Sequence, residues 1–579
     1  LHMKKKLLPA LIVTGLIILV VIIMGITALI NKYTPTKKTE DLKEYFNISS
    51  DDEAALIVDN ELSDYKAKII DKKIYVDYKF VHDSLNSRFY WDANENVLLY
   101  TTASDIISAA ADSNSYSVTK QTNDFGYPIV KATSDSALIA LDYVKQYSNI
   151  TFKSYDDPAR IVITSKWDEI DSATVSKSTQ VRVKGGIKSP ILKEVKKDDK
   201  ITILDSGDKW DKVATEDGVI GYIKRKALSE SKKTKLTNPD YEEETFTHIK
   251  KDKDICLAWN QVTSQSANSK VPQIISSTKG INVMSPTWFY LNDNNGNLAD
   301  IASKDYVSYC HSQGIEVWGL FSNFENTDVD AAYVLTHTST RTTLINQIMS
   351  AAFNYELDGV NIDFENITEA AYGDSYIEFI RELAIKCHNN GISLSVDVTV
   401  PASFNKFFNR SDMANFADYI VIMGYDEHYK GSDAGSVSSI PWVTEGVEST
   451  LKEVPADQII LGMPFYTRIW ELTPKEDDDA VTDTEDQSKY TVASQVYSMD
   501  AAAAQLATNN ATTALDEESG QNYAEWSASN KLYKVWLEDS TSLEKRLKLV
   551  DDNKLAGAAF WKLGFENSSV WDTVIKYLN

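Results

Sequence analysis

An α/β chain built around a (β/α)8 barrel, preceded by small β-rich domains and an N-terminal transmembrane helix, is the architecture the sequence predicts. Three observations carry it. Eight strand-like runs lie between residues 254 and 579, and helical segments separate most of them. Short strands punctuated by Gly and Asp turns fill much of 63–228, and an apolar run from Leu7 to Ile30 follows Lys4, Lys5 and Lys6. Strands alternating with helices argue for a parallel sheet, and eight such units in about 325 residues argue for its closure into a barrel.

Composition bounds the function. A chain of 579 residues exceeds one ordinary domain. A net charge of −25 argues against nucleic-acid binding, which needs basic patches. Cys256, Cys310 and Cys387 are far apart and lack metal-ligand spacing, so neither a disulfide framework nor a zinc site is expected.

Taken in order, the first element is the apolar run 7–30. At about 24 residues it is longer than a signal-peptide core and long enough to cross about 30 Å of hydrocarbon. The leading lysines favour an inside N-terminus, which predicts a single-pass membrane anchor with the rest of the chain extracytoplasmic. The alternative is a cleaved signal and a secreted protein. Residues 33–62 are polar and read as a stalk.

Residues 63–168 contain "KIYVDYKFVHDSLN", "NVLLYTT" and "ITFKSYDDPARIVITS", with one helix-like segment, "DSALIALDYVKQYSN". This stretch resembles the small domain named after the N-terminal domain of copper amine oxidases; no ligand cluster for copper accompanies it, and it reads as a spacer or wall-contacting module. Residues 172–228 contain "TQVRVKGG" and "ITILDSGDKWDKVATEDGVIGYIKRKAL". With Trp210, Gly218, Gly221 and Tyr222 in place, they resemble a bacterial SH3 domain, which implies a possible cell-wall partner. Residues 229–250 read as a charged linker to the barrel, 251–579.

The barrel strands are read as 255–262, 281–291, 315–323, 358–366, 392–400, 419–427, 458–466 and 557–564. The fourth, "DGVNIDFEN", is the unusual one. Side chains alternate faces along a strand, so Asn361, Asp363 and Glu365 share the barrel interior while Ile362 and Phe364 face the helices. Barrel interiors are normally filled with branched apolar side chains. One carboxylate there could be a satisfied buried group; three polar residues in register, ending at the C-terminal end of a strand, point to chemistry.

"DGVNIDFE" resembles the D-G-x-D-x-D-x-E signature of glycoside hydrolase family 18, with Asn361 in place of the second aspartate. "MGYDE", "LGMPFYTRIW" and Trp561 agree with that family over about 254–579. "NIDFEN", "SPTWF" and "VWLEDSTS" resemble its branch of bacterial spore-cortex and cell-wall N-acetylglucosaminidases. The resemblance implies a retaining glycosidase acting on β-linked N-acetylglucosamine glycan, with peptidoglycan the leading substrate. It implies Glu365 as general acid, Asp363 as the residue holding the substrate acetamido N–H, and Tyr425 as donor to the acetamido oxygen. Trp561 would floor the sugar site, Tyr466, Trp259 and Trp288 would wall it, and Asp426 would bind a sugar hydroxyl or join the network. Asp358, Asn361 and Met423 would support the strands. An amide at 361 removes a like charge, so Asp363 is expected to ionise more readily. No metal or other cofactor is implied.

A long insertion, about 471–530, includes "KEDDDAVTDTEDQ" and reads as a solvated acidic loop. Two other functions stay open: a chitinase or endo-β-N-acetylglucosaminidase on other glycans, and a non-catalytic sugar-binding barrel. The second conflicts with the presence of Glu365, Asp363 and Tyr425 together.

Overall fold

The computed structural model describes residues 4–365, 367, 370–475 and 486–578. The chain divides into two compact units: 1–89, 111–115 and 124–243 form one; 90–110, 116–123 and 244–579 form the other.

The second unit holds the barrel. Its strands are β1 (Ile255–Asn260), β2 (Val283–Leu291), β3 (Glu316–Ser322), β4 (Gly359–Asp363), β5 (Ser393–Thr399), β6 (Tyr419–Met423), β7 (Ile459–Pro464) and β8 (Gly557–Trp561). Neighbours pair in parallel all the way round, and β1 pairs with both β8 and β2, which closes the sheet. Two side-chain layers follow from the period-two alternation. Ile255, Leu257, Trp259, Val283, Trp318, Leu320, Tyr419, Val421, Ile460 and Ala559 fill the interior, while a larger apolar cluster lies between strands and helices. The glycine of "DGVNIDFE" has a packing reason: a Cβ at Gly359 would come within 2.5 Å of the Trp318 ring, so β4 can lie beside that indole only without a side chain there.

Two helices flank the fourth strand: α1 (Thr338–Tyr355) and α2 (Ala370–His388). Residues 90–101, from a five-stranded sheet in sequential strand order, contact them. The Tyr90 hydroxyl is 2.8 Å from Ser375 Oγ, and the Arg341 guanidinium lies 5.0 Å from the Tyr90 ring centre. Thr101 Oγ1 donates to Glu378 Oε1 at 2.8 Å. At the start of α1, His337 provides no side-chain cap. Asp92 Oδ2 instead accepts from Thr338 N and Oγ1, both at 2.6 Å, and Glu95 Oε2 accepts from Ser339 N at 3.1 Å. A helix start leaves backbone N–H groups unpaired, and here acids about 240 residues upstream cap it.

The segment read as an acidic loop is built otherwise. Strands Tyr466–Pro474, Tyr490–Ser498, Ala514–Asp516, Gln521–Ala528 and Lys531–Leu537 form a five-stranded sheet between β7 and β8, with helix Met499–Thr508 against it. Alternation in "YTVASQVYS" and "KLYKVWL" accounts for it. Most of the acidic tract itself, 476–485, lies outside the described residues.

In the first unit, helix Lys4–Tyr33 contains a 25-residue stretch, Pro9–Tyr33, long and apolar enough to cross a membrane. The segment read as a stalk contains Glu53–Val58, an inner strand of a seven-stranded sheet, flanked by Glu61–Ile70 and Arg160–Thr164. Its Ala54, Ala55, Leu56 and Ile57 are fully buried, so the apolar run "AALIV" outweighs the polar flanks. A second seven-stranded sheet spans Glu169–Lys235. Ala55 and Ile57 share one core with Val181, Leu192, Val213 and Ile223 of that sheet, so the two small modules are packed together rather than strung apart. Part of the presumed linker, Lys232–Lys235, is an edge strand pairing with Glu169–Thr174. In the second unit, 244–250 is also anchored: Phe246 packs edge-on to Phe416, and Ile249 N donates to Asp418 Oδ1 at 2.6 Å.

Candidate active site

Strands β4 and β5 interrupt the apolar interior. Asn361 is fully buried and uses all its hydrogen-bonding capacity. Its Oδ1 accepts from Trp259 Nε1 and Ser285 Oγ, both at 3.0 Å, and its Nδ2 donates to Ser395 Oγ at 3.0 Å and Asp397 Oδ1 at 2.7 Å. Four bonds match the amide's two donors and two acceptor sites. Asn361 therefore ties β1, β2 and β5 to β4 beneath the strand end.

Asp363, two residues on, is 6% exposed, and its Oδ1 has no hydrogen-bond partner among the described residues. Burial pushes its carboxyl well above the usual range, and the charges of Asp397, Glu365 and Glu325 push the same way. The amide at position 361 removes the like charge an aspartate would place there, and it holds another carboxyl, Asp397, close by. Asp397 is itself driven up by burial, with the Asn361 hydrogen bond opposing. Asp397, Ser395 and Ser285 were not among the predicted site residues. The signal for two of them was present: "ISLSVDVTV" alternates polar and apolar residues as "VNIDFE" does.

Glu365 lies just past β4 and is exposed. The surrounding mouth raises its carboxyl above the usual range through desolvation first, then through Asp426 and Glu325. Asn323 Nδ2 donates to its backbone oxygen at 2.8 Å. Between the two acids, Phe364 points the other way and stacks on Phe379 and Tyr376, at 5.4 and 6.1 Å between ring centres.

Tyr425 and Asp426 follow β6. Burial, then the charges of Asp363 and Asp397, raise the Tyr425 phenol well above its ordinary value, so it remains an O–H donor. Gly462 of β7 leaves it room, since a Cβ there would meet the Tyr425 ring at 3.4 Å and the Ile422 oxygen at 2.9 Å. Asp426 is exposed and adopts a left-handed backbone, φ 62°, a conformation aspartate tolerates and one concentrated at functional turns. It accepts from the Tyr466 hydroxyl, and Arg468 Nη2 is 3.9 Å away. Tyr466 meets Tyr425 edge to face at 6.2 Å. Trp561, half-buried at the end of β8, meets Trp259 edge-on at 5.9 Å. Met423, half-buried, ends β6 two residues before Tyr425.

Two predicted residues stand elsewhere. Trp288 is fully buried in the helix-side cluster, donating to Asn268 Oδ1 at 2.7 Å and packing on Tyr306 at 4.8 Å. It lies three positions beyond the inward Ser285, hence on the opposite face, and is no wall of the interior. Asp358 sits at the opposite end of β4, accepting from Val317 N and contacting His311 Nε2, each at 2.8 Å.

A closed barrel that collects carboxyl groups, a phenol and an indole at the C-terminal ends of β4, β6 and β8 has the layout of a catalytic barrel, and the chain is a glycosidase. Residues 323–566 match the family model "Glycosyl hydrolases family 18", so the barrel carries a domain of that family. The chain is similar to the "Uncharacterized glycosylase YvbX" of Bacillus subtilis, at 24% identity over 301 residues, 49% of this chain and 81% of that protein. It is also similar to the "Cortical fragment-lytic enzyme" of Bacillus subtilis, at 24% identity over 287 residues, 48% of this chain but only 63% of that protein. Among solved structures, the Bacillus cereus spore cortex-lytic enzyme SleL shares the fold, with a TM-score of 0.50 and 18% identity over 60% of this chain and 79% of that one.

Proposed function

We propose that the protein is a retaining glycosidase that cleaves β-linked N-acetylglucosamine glycan, with cell-wall peptidoglycan as its substrate, by substrate-assisted catalysis. The observation that carries this is Asp363 Oδ1, a buried acceptor with no partner among the described residues, two positions from an acid at the mouth. Buried polar atoms are rarely left unpaired; an acetamido N–H supplies the missing donor.

Glycoside hydrolysis needs a proton on the leaving oxygen and a partner for the cationic centre. Glu365, its carboxyl raised towards the protonated form, donates that proton. The acetamido carbonyl oxygen attacks the anomeric carbon as the glycosidic bond breaks, giving a cyclic oxazolinium. Asp363 accepts from the ring N–H through its unpaired Oδ1, and Tyr425 directs the acetamido oxygen through its O–H. Glu365, now a carboxylate, takes a proton from water, which opens the ring on the same face and retains the configuration. This route is an exception to the scheme with a protein nucleophile; two acids on one strand, two residues apart, suit it better than two acids on opposite sides of a bond. Trp561, half-buried at the end of β8, offers aromatic surface to the sugar with the buried Trp259 packed behind it, and Asp426 offers a hydroxyl acceptor.

The rest of the chain supports the wall as the place of action. The helix Lys4–Tyr33 serves as a single-pass anchor with the barrel outside. Residues 172–228 act as a wall-contacting SH3-like module, with the 63–168 module resembling the copper amine oxidase N-terminal domain beside it. Mass spectrometry of purified peptidoglycan after digestion tests the proposal. New reducing N-acetylglucosamine ends are the expected product. Intact glycan strands, beside cleaved chito-oligosaccharide, would move the substrate to chitin-like glycans.

A further inference from the structure

The segment after β3, Ser322 to Glu325, brings another carboxylate to the mouth. We propose that Glu325 is a positioning residue for the acid on β4: its carboxylate, tethered beside the strand end, keeps the Glu365 carboxyl protonated until a substrate takes the proton. This rests on Glu365 being the acid, and it adds a residue outside the β4 signature.

The geometry is built from β3. Ser322 is fully buried at the end of that strand and is the register partner of Asp363. Its Oγ donates to Glu325 Oε1 at 2.6 Å, so the carboxylate is held to the strand end rather than swinging free. The next residue, Asn323, donates to the backbone oxygen of Glu365 at 2.8 Å. Adjacent residues of one turn thus grip Glu325 and Glu365. Phe324, between Asn323 and Glu325, is exposed.

Among the described residues, Asp426, after β6, acts on Glu365 beside Glu325, and Glu365 acts in turn on Asp363 of β4 and Asp397 of β5. The charge of Asp426 is answered by the Tyr466 hydroxyl and by Arg468 at 3.9 Å. The Glu325 carboxylate has a serine hydroxyl as its partner rather than a cation. A like charge at close range disfavours ionisation of its neighbour, and Glu325 acts in this sense on both Asp363 and Glu365. Desolvation of Glu365 and the charge of Asp426 act in the same direction, and Glu325 adds to them.

The test is the pH profile of kcat/KM for the full chain, with whichever of peptidoglycan or chito-oligosaccharide the wild type cleaves. Glu325→Gln should move the alkaline limb to lower pH, by several tenths of a unit up to about one unit, with KM near the wild-type value. Glu325→Asp should recover part of that limb. Ser322→Ala, which frees the carboxylate without removing it, should give a smaller shift of the same sign. A Glu325→Gln profile that superimposes on the wild type, or falls evenly at all pH values, overturns the proposal. Cleavage that survives Glu365→Gln overturns instead the assignment on which it rests.

Discussion

The mouth of the barrel and the helix layer behind β4 both bury carboxyl groups, and they treat them in opposite ways. On the helices, Glu382 meets Arg341 at 2.9 Å, and Arg381 binds Glu378 at 2.9 Å and also Asp412. Each acid faces a guanidinium, and Thr101 adds a further donor to Glu378. At the mouth, Asp363 and Asp397 are buried as deeply, yet the charges acting on Asp363 come from other acids. Breaking a buried pair leaves an uncompensated charge and is costly; an acid that never had a partner escapes the cost by holding a proton. The helix layer therefore gives its acids guanidinium partners, whereas the mouth surrounds Asp363 with other acids.

Three substitutions sharpen this contrast. The largest effect is expected at the mouth. Glu365→Gln should lower the hydrolysis rate by about 10²–10⁴ while leaving the melting temperature and the circular dichroism spectrum as they were; near-normal turnover would remove Glu365 from the acid role. Next comes the helix layer. Arg341→Met strands Glu382 and should destabilise the second unit by about 3–5 kcal/mol, with the activity of the folded fraction retained. Denaturant titration separates the two, and an unchanged midpoint would place the Arg341 pair among ornamental ones.

The third effect is the smallest, and its sign follows from the raised carboxyl of Asp363. A group whose folded-state value lies above its unfolded one stabilises the fold most below the unfolded value, about 4 for aspartate, and that contribution is lost as pH rises through the folded value. Asp363→Asn has no such proton to lose. Its melting temperature should therefore gain on the wild type as pH rises above about 4, by about 2–4 °C for each kcal/mol relieved. Parallel melting curves across pH would mean that Asp363 is not a buried proton carrier.

The contrast was partly legible in the sequence. Asn361, Asp363 and Glu365 announce themselves because period two is strict, and Phe364 obeys it by stacking on Phe379. Ser393, Ser395 and Asp397 carry the same pattern, so the second polar strand was within reach of one argument applied twice. Trp288 shows where closeness to a strand end misleads: alternation from Ser285 puts it on the helix face, and a register shift between Thr287 and Phe289 lets Phe289 join it there. Arg341, Glu382 and Tyr90 could not be paired from spacing, because their partners lie 41 to 285 positions away and meet only through packing. The sheet of the insertion was hidden behind the composition of its acidic tract, and the buried strand 53–58 behind the polar text around it.

The carboxylates of Asp92 and Glu95 at the start of α1 bear on what can be inherited or excised as one piece. Residues 323–566 look self-sufficient by family boundaries, and cutting at 251 spares every barrel strand. Either cut discards the caps of α1 and the threonine that meets Glu378. Recombination that moves the barrel without residues 90–101 delivers it with the start of α1 uncapped, beside β4. The heritable unit is longer than the catalytic one, and its first indispensable residues are translated some 160 positions before the barrel begins.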